Sequence, residues 1–401
     1  MKEIKDSITA VQGFKAAGVI CGIKKNNKKD LAMIYSTVPS VAAGVFTTNK
    51  VFSPSVQLCR ENILSPVARA IVANSGNANA CVGNQGYLDA KKIVQLTAEK
   101  LEIVPEEVLI ASTGVIGEPL AMDKIETGIP NLVNVLNENG SDDAAEGILT
   151  TDTFTKTVAV EIDVSGTKVR LDGIAKGAGM IHPDMATMLA FITTDAAIEK
   201  KTLQKSLKES TDKSFNMITV DGDTSTNDTV IILANSLAKN EIIKEKSASS
   251  EIFLEALDFV TSKLARMIVK DGEGATKLIE IHVKGAKASH DAKTIAMAIG
   301  RSNLVKTDFF GEYANWGRII AAAGTAGVSF DPDKVDMFFG QEHVLKNGLY
   351  CGNEREKAIE TVIKGQEIVL TLNLNSGNEQ ARVFTCDLSP EYVKINAEYR
   401  S

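Results

Sequence analysis

Cysteine is sparse in this 401-residue chain. Cys21, Cys59, Cys81, Cys351 and Cys386 are scattered, with no CxxC pair and no companion histidine at ligand spacing. An odd number of isolated thiols argues against a disulfide framework or a zinc site, reads as buried small hydrophobes, and sets the expected location in a reducing cytoplasm. A signal segment is lacking too: the opening MKEIKDSITAVQGFKAAG is charged and has no apolar core. Two stretches carry no charge, 31–49 and 70–88, but the first holds Pro39 with five Ser or Thr and the second is Asn-rich, so neither reads as a membrane span. Basic residues are in deficit, 44 Lys and Arg against 51 Asp and Glu, for a net charge of −7. That balance disfavours nucleic acid and anionic membranes as partners and leaves small metabolites and other proteins.

Several catalytic signatures are also missing. No G-x(4)-G-K-[ST] provides a phosphate cradle. Gly177-Ala178-Gly179 opens a dinucleotide-type run, but His182 stands at the third glycine's place. Asp221 to Asn227 looks calcium-like without the sixth-position glycine or the twelfth-position Glu of an EF-hand loop. Ser210-Thr211-Asp212-Lys213 matches S-x-x-K without its companion motifs and reads as helix surface. The four histidines, His182, His282, His290 and His343, make no pair at helical metal-ligand spacing. No internal repeat and no long low-complexity segment interrupts the chain.

What is present is ordinary globular composition, 44% hydrophobic and 24% charged, at a length that implies two or three domain-sized units. Ala90, Ile93, Val94, Thr97 and Leu101 fall on one helical face. Phe253, Ala256, Leu257, Val260, Leu264, Met267 and Ile268 repeat the pattern more clearly, with Ser249 or Ser250 as the expected cap. Val158, Val160, Ile162 and Val164 alternate with polar residues, and Ser165-Gly166 turns the chain back into Val169 and Leu171, a hairpin. Further helices are expected near 196–208, 288–299 and 353–363, strands near 276–283, 366–374 and 380–387, and loops at 137–143 and 244–250. The mixture predicts layered α/β structure with at least partly antiparallel sheets.

The densest segment runs from Lys176 through Gly-Ala-Gly-Met-Ile-His-Pro-Asp-Met-Ala-Thr to Phe191. Glycines bring the backbone close to a ligand, and Pro183 fixes φ before a β-like run over 185–192. At the start of that run stands Ala186-Thr187, a small residue before a hydroxyl. Such a junction suits attack of the Thr187 hydroxyl on the Ala186 carbonyl, giving an ester that water cleaves. The freed Thr187 amine, with an ordinary pKa of about 7.7–8.0, then serves as general base for its own hydroxyl. Taken alone, the segment reads more readily as a Gly-rich turn feeding a buried strand.

The segment resembles the cleavage and nucleophile motif of the ornithine acetyltransferase family, also called glutamate N-acetyltransferase. The similarity covers essentially the whole chain through Val72–Asn79, Ala111–Gly117, Thr151–Thr153, Ser214–Asn227, Asp271–Lys277 and Asn396–Ser401, in the family's order. The resemblance implies a mixed α/β fold, an α-β-β-α layered sandwich shared with self-cleaving aminopeptidases, plus a C-terminal α/β region. It implies cleavage between Ala186 and Thr187 into an α chain, 1–186, and a β chain, 187–401, the latter including a C-terminal subdomain near 285–390. Thr187 would be the nucleophile, and Thr113 and Gly114 the oxyanion hole. Substrate contacts would fall on Thr153, Lys176, Thr187, Glu273, Asn396 and Ser401, with Lys176 suited to the α-carboxylate and Glu273 to an ammonium.

The implied reaction moves the acetyl group of N2-acetylornithine to glutamate by a ping-pong acetyl-threonine route, in the cyclic branch of arginine biosynthesis. No metal or redox cofactor is expected, acetyl-CoA is a second donor in bifunctional members only, and two α with two β chains form the assembly. One departure stands out: Asp184 occupies a position where the family usually has Asn. The rival enzyme reading is an aminopeptidase or amidase of the same architecture whose acyl-threonine is taken by water. The rival of another class is an uncleaved amino-acid-binding protein.

Overall fold

The computed structural model describes residues 1–4, 8–182, 188–352 and 356–398. The chain divides into two units, one comprising 1–216 and 223–268, the other 217–222 and 269–400.

The first unit opens with β1 (Lys2–Ile4), β2 (Phe14–Val19), β3 (Leu31–Phe46), α1 (Pro54–Asn62) and β4 (Ala68–Asn77). It continues through α2 (Gly83–Leu101), β5 (Val108–Val115), α3 (Met122–Asn134), α4 (Ser141–Gly147), β6 (Lys156–Val164) and β7 (Thr167–Lys176). It closes with β8 (Leu189–Thr194), α5 (Lys200–Lys213), β9 (Thr229–Ala234) and α6 (Ala248–Lys270), whose last residues begin the second unit.

Strand β3 explains the layering. Its first half, Leu31–Tyr35, pairs with β4, and after a register break around Pro39 its second half, Val41–Phe46, pairs with β9. One strand thereby serves two sheets, ordered β1-β6-β7-β8-β9-β3 and β3-β4-β5, with β2 against β3. Ile174, Leu189, Phe191, Ile231 and Leu233 of the first sheet share a core with Met33, Ile71 and Ile110 of the second. On the other face of the first sheet, a Cβ on Gly173 would lie 2.9 Å from Leu264 and 3.0 Å from Val260, so α6 packs there directly, with α5 against β3. Helices α1 and α2 pack on β5, and α3 on β2 and β3. The result is the α-β-β-α sandwich. Period-2 patterning makes this possible: along β7, Gly173 faces α6 while Ile174 faces the opposite sheet.

The hairpin forms as its pattern predicts. β6 and β7 pair from Lys156↔Ala175 to Val164↔Thr167, and Ser165 (φ 53) with Gly166 (φ 86) supplies the two positive-φ positions of a tight turn.

The second unit contains β10 (Leu278–Ala286), α7 (Ser289–Gly300), α8 (Asn303–Phe310), α9 (Trp316–Gly324), β11 (Asp336–Phe339), β12 (Glu342–Lys346) and β13 (Leu349–Tyr350). α10 (Glu356–Ile363), β14 (Glu367–Asn373), β15 (Glu379–Cys386) and α11 (Pro390–Glu398) complete it. Its sheet runs β13-β12-β11-β14-β10-β15, with β10 and β14 parallel. Ile279, Ile281 and Val283 of β10 alternate into a core with Ile295 and Ile299 of α7. The subdomain expected near 285–390 lies inside this unit.

Several expectations are corrected. The loop expected over 137–143 gives way to α4 at Ser141: Asp142 and Asp143, read as loop polarity, sit in the first helical turn, where carboxylates favour the helix dipole. Gly140 precedes them because a Cβ there would lie 1.9 Å from the Ala16 carbonyl oxygen. The cap of α6 is Ser247, whose Oγ accepts the Ser250 N–H at 3.1 Å, so the helix begins within the loop expected over 244–250. Ser210 and Thr211 are buried on α5 rather than on its surface, with Ser210 Oγ 2.7 Å from Thr261 Oγ1. All five cysteines are free, but only Cys59 and Cys386 are buried; Cys81 and Cys351 are exposed, in segments whose burial no periodicity reports.

Candidate functional site

Two of the quoted segments lie side by side. Val72–Asn79 runs through β4 and Ala111–Gly117 through β5, and the parallel register sets Ser75 against Thr113 and Gly76 against Gly114. There the ladder slips, so that Asn77 opposes both Thr113 and Val115. Gly114 takes φ 135, and a Cβ on it would stand 2.3 Å from the Gly76 carbonyl carbon and 2.4 Å from the Asn77 nitrogen. Only glycine permits that approach. A bulge of this kind re-aims backbone groups beside a ligand site.

Thr113 is buried, and its neighbour Ser112 is tied on two sides. Ser112 Oγ lies 2.8 Å from Ser55 Oγ, and its carbonyl accepts Asn227 Nδ2 at 2.8 Å. The same Asn227 amide reaches the Ala78 carbonyl at 2.6 Å, so one side chain pins the β4 and β5 ends together.

Lys176 closes β7 and is fully buried, not a solvated surface lysine. Its Nζ donates toward Thr113 Oγ1 at 3.4 Å. Behind it stands Asp152, which accepts Lys156 Nζ at 2.7 Å, the Gly177 N–H at 2.7 Å and the Thr150 N–H at 3.0 Å. Burial works against ionising Asp152, but the Lys176 and Lys156 ammoniums outweigh it and draw its pKa down to about 2. Thr153, next in sequence, is exposed. Lys24, whose side chain a Gly76 Cβ would touch at 3.0 Å, is brought down to about 8 by burial, with Lys176 adding to the effect and Asp30 opposing it.

In the second unit, Glu273 is buried and accepts Asn396 Nδ2 at 2.7 Å. The loop carrying Glu273 is held to the start of α11: Ser389 Oγ donates to the Gly274 carbonyl at 2.6 Å, and a Cβ on Gly274 would lie 2.7 Å from the Tyr392 nitrogen. Asp387 fixes its other end by accepting the Thr276 and Lys277 N–H groups at 2.8 and 2.9 Å.

Thr113, Gly114 and Lys176 therefore meet in the first unit, with Thr153 one residue from Asp152, while Glu273 and Asn396 meet in the second. Ala186, Thr187, Ser401 and Asp184 lie outside the described residues. Sequence reasoning passed over Asp152, Asn227 and Lys24. The first two stood inside the quoted segments, where nothing in their spacing distinguished them; Lys24 lies in the run Lys24-Lys-Asn-Asn-Lys-Lys29, which reads as a solvated charge cluster. Among the described residues no cluster of three or more His, Cys, Asp or Glu could hold a metal ion.

The chain matches the model of the ArgJ family over residues 15–401. It is 49% identical over 405 residues to the arginine biosynthesis bifunctional protein ArgJ of Caldanaerobacter subterraneus subsp. tengcongensis, covering 100% of both chains. It is 50% identical over 401 residues to arginine biosynthesis bifunctional protein ArgJ 1 of Clostridium acetobutylicum, covering 98% of each. Among solved structures, the ornithine acetyltransferase of Mycobacterium tuberculosis, complexed with ornithine, is 37% identical over 45% of this chain and 97% of that one, with a TM-score of 0.44. Matched from residue 15 to its last residue, and at half identity over full-length relatives, the chain belongs to the ArgJ family.

Proposed function

We propose that this chain is a glutamate N-acetyltransferase that takes the acetyl group of N2-acetylornithine onto Thr187 and passes it to glutamate, in arginine biosynthesis. The observation that carries the reading is the buried meeting of Thr113 Oγ1 and Lys176 Nζ, 3.4 Å apart, beside the Gly114 bulge. A hydroxyl and a backbone N–H at such a bulge suit a carbonyl oxygen that gains charge, and a buried ammonium suits a substrate carboxylate.

Self-cleavage comes first. The Thr187 hydroxyl adds to the Ala186 carbonyl, the peptide nitrogen leaves as the Thr187 amine, and water hydrolyses the resulting ester. Strands β7 and β8 on either side of the junction are hydrogen-bonded neighbours, from Leu171↔Thr194 to Lys176↔Leu189, and β8 also pairs with β9. The α and β chains therefore stay woven in one sheet.

Transfer reuses the same atoms. The Thr187 amine accepts the hydroxyl proton, Oγ attacks the acetyl carbonyl, and Thr113 and Gly114 donate to the oxyanion. Collapse returns the proton to the ornithine nitrogen, which departs. The neutral glutamate amine attacks the ester, and the same steps in reverse release acetylglutamate. Lys176 holds the α-carboxylate, while Thr153, Glu273, Asn396 and Ser401 complete the substrate contacts. No metal or redox cofactor takes part. The relatives' names read bifunctional, and we extend the second activity to this chain: acetyl-CoA acylates the same Thr187. We propose further that the enzyme is cytoplasmic and assembles from two α and two β chains.

The test is acceptor dependence. Ornithine release from N2-acetylornithine should require glutamate. Release at an equal rate without it would make the protein a hydrolase of aminopeptidase or amidase type, and an uncleaved protein that binds without turnover would leave only a binding function.

A further inference from the structure

Asp228 directly precedes β9, is fully buried, and takes no part in the steps above. Its Oδ1 accepts the Met188 N–H at 3.0 Å. The Met188 carbonyl in turn accepts the Thr229 N–H at 3.2 Å. Met188 is thus gripped at both backbone ends, by a side chain and a main chain that are neighbours in sequence, just before β8 begins at Leu189.

The nitrogen that Asp228 holds belongs to the Thr187–Met188 peptide bond. Once the Ala186–Thr187 bond is cut, that peptide is the sole covalent anchor of Thr187. Its orientation sets where the amine and hydroxyl can point. Misplacement of reacting groups by about 1 Å costs on the order of 10²-fold in rate. We infer that Asp228 is a positioning residue for the nucleophile, fixing the Thr187–Met188 peptide so that Thr187 is aimed for both self-cleavage and acetyl transfer.

The surroundings determine the form in which it does so. Burial pushes the Asp228 carboxyl well above the usual carboxylate range, against the opposing pull of the Met188 N–H and the Lys176 ammonium. The hydroxyls of Thr47 and Ser225 are its polar neighbours, and the Thr47 hydroxyl donates to the Ser225 carbonyl at 2.6 Å. Oδ2 has no hydrogen-bond partner among the described residues. The contact that the geometry shows at Asp228 is acceptance of the Met188 N–H by Oδ1. Acceptance by one oxygen is then the whole requirement, and an amide can meet it.

The inference rests on Thr187 as the nucleophile, and its test is read at two levels. Asp228→Ala should slow self-cleavage and, on processed enzyme, lower kcat by about 10–100-fold while KM for N2-acetylornithine stays within about threefold. Asp228→Asn keeps an acceptor oxygen and cannot ionise; it should recover kcat to within about threefold of the parent, with an unchanged pH profile. An Asp228→Ala enzyme within about twofold of the parent in both rates would overturn the inference. So would a folded Asp228→Asn protein as slow as Asp228→Ala, because acceptance of the Met188 N–H would then not be what positions Thr187. Where Asp228→Ala does not fold, Asp228→Asn alone decides. A parent that self-cleaves but does not transfer acetyl would refute the transferase reading, and the cleavage rates of the variants would still judge Asp228. A parent that does neither overturns both.

Discussion

Thr113 and Gly114 are adjacent on β5, yet opposite constraints hold them: Thr113 Oγ1 faces Lys176 Nζ at 3.4 Å, while Gly114 approaches Gly76 too closely for any Cβ. One position is set by a hydrogen bond and the next by space. Thr113→Ala should lower turnover by roughly 10²–10³, the usual loss for one oxyanion donor. Because self-cleavage also passes through an oxyanion, processing should slow with it. The measurement is kcat on fully processed enzyme beside a time course of cleavage. Activity within about twofold of the parent removes Thr113 from the mechanism.

Gly114→Ala should behave differently. The added methyl would lie 2.3 Å from main-chain carbon in a φ of 135, so β4 and β5 must move apart. We expect a stability loss of about 1–3 kcal/mol from the backbone strain, together with lost processing. A melting curve separates the two variants: Thr113→Ala should melt close to the parent, and Gly114→Ala clearly below it.

The difference between those neighbours also marks how far the sequence could be read. The β6–β7 hairpin, α2 and α6 were legible because alternation and helical spacing report directly which face is buried. The charge pattern of 137–143 misled, since acidic residues suit a helix start as well as a loop. Thr113, Gly114, Lys176, Glu273 and Asn396 were singled out only through resemblance; no local rule separates the buried Lys176 from a solvated lysine. Asp152 and Asn227 were not legible at all. Their importance comes from partners 25 and 115 residues away, Gly177 and Ser112, which only the fold brings together.

Asp152 yields a pH prediction. Its folded pKa is about 2 against an ordinary 3.8, so its contribution to stability is present above about pH 4 and is lost as pH falls toward 2. Asp152→Asn should lower stability at pH 7 by about 3–5 kcal/mol, the cost of removing one partner of a buried pair. The gap to the parent should narrow as pH drops below 4. Asp228 has the opposite sign: its raised pKa favours folding below the ordinary 3.8, and that contribution is lost as pH rises. Asp228→Asn should therefore gain on the parent between pH 4 and pH 7. Melting temperatures at about pH 3, 4 and 7 test both, Asp152→Asn over the lower interval and Asp228→Asn over the upper one, and curves parallel to the parent in those intervals would contradict the assignments.

Self-cleavage predicts two bands on a denaturing gel, of about 20 and 23 kDa by sharing 42.9 kDa in proportion to length. Under native conditions they should elute together, because β7 and β8 pair across the junction. Thr187→Ala should remain one chain and be inactive, having lost the nucleophile of both reactions. A parent that stays whole yet is fully active would sink the scheme.

The proposed substrate contacts at Glu273 and Asn396 make the choice between glutamate and water testable. A threonine ester in an open site faces water at about 55 M, so transfer requires a held acceptor, for which effective molarities of 10⁵ M or more are attainable. Asn396 donates to Glu273 at 2.7 Å and to the Tyr392 carbonyl at 3.0 Å, joining α11 to the loop proposed to contact substrate. Deleting 396–401 removes that bond and exposes the Glu273 carboxylate. Glutamate acetylation should then fall much more than ornithine release, and the ratio of ornithine released to acetylglutamate formed should rise well above one. Asn396→Ala, which removes the amide but keeps the rest of the tail, should move the ratio in the same direction by less. Both products are measured in one reaction on processed enzyme. A truncated protein that keeps a one-to-one ratio would show that the tail does not guard the acyl intermediate.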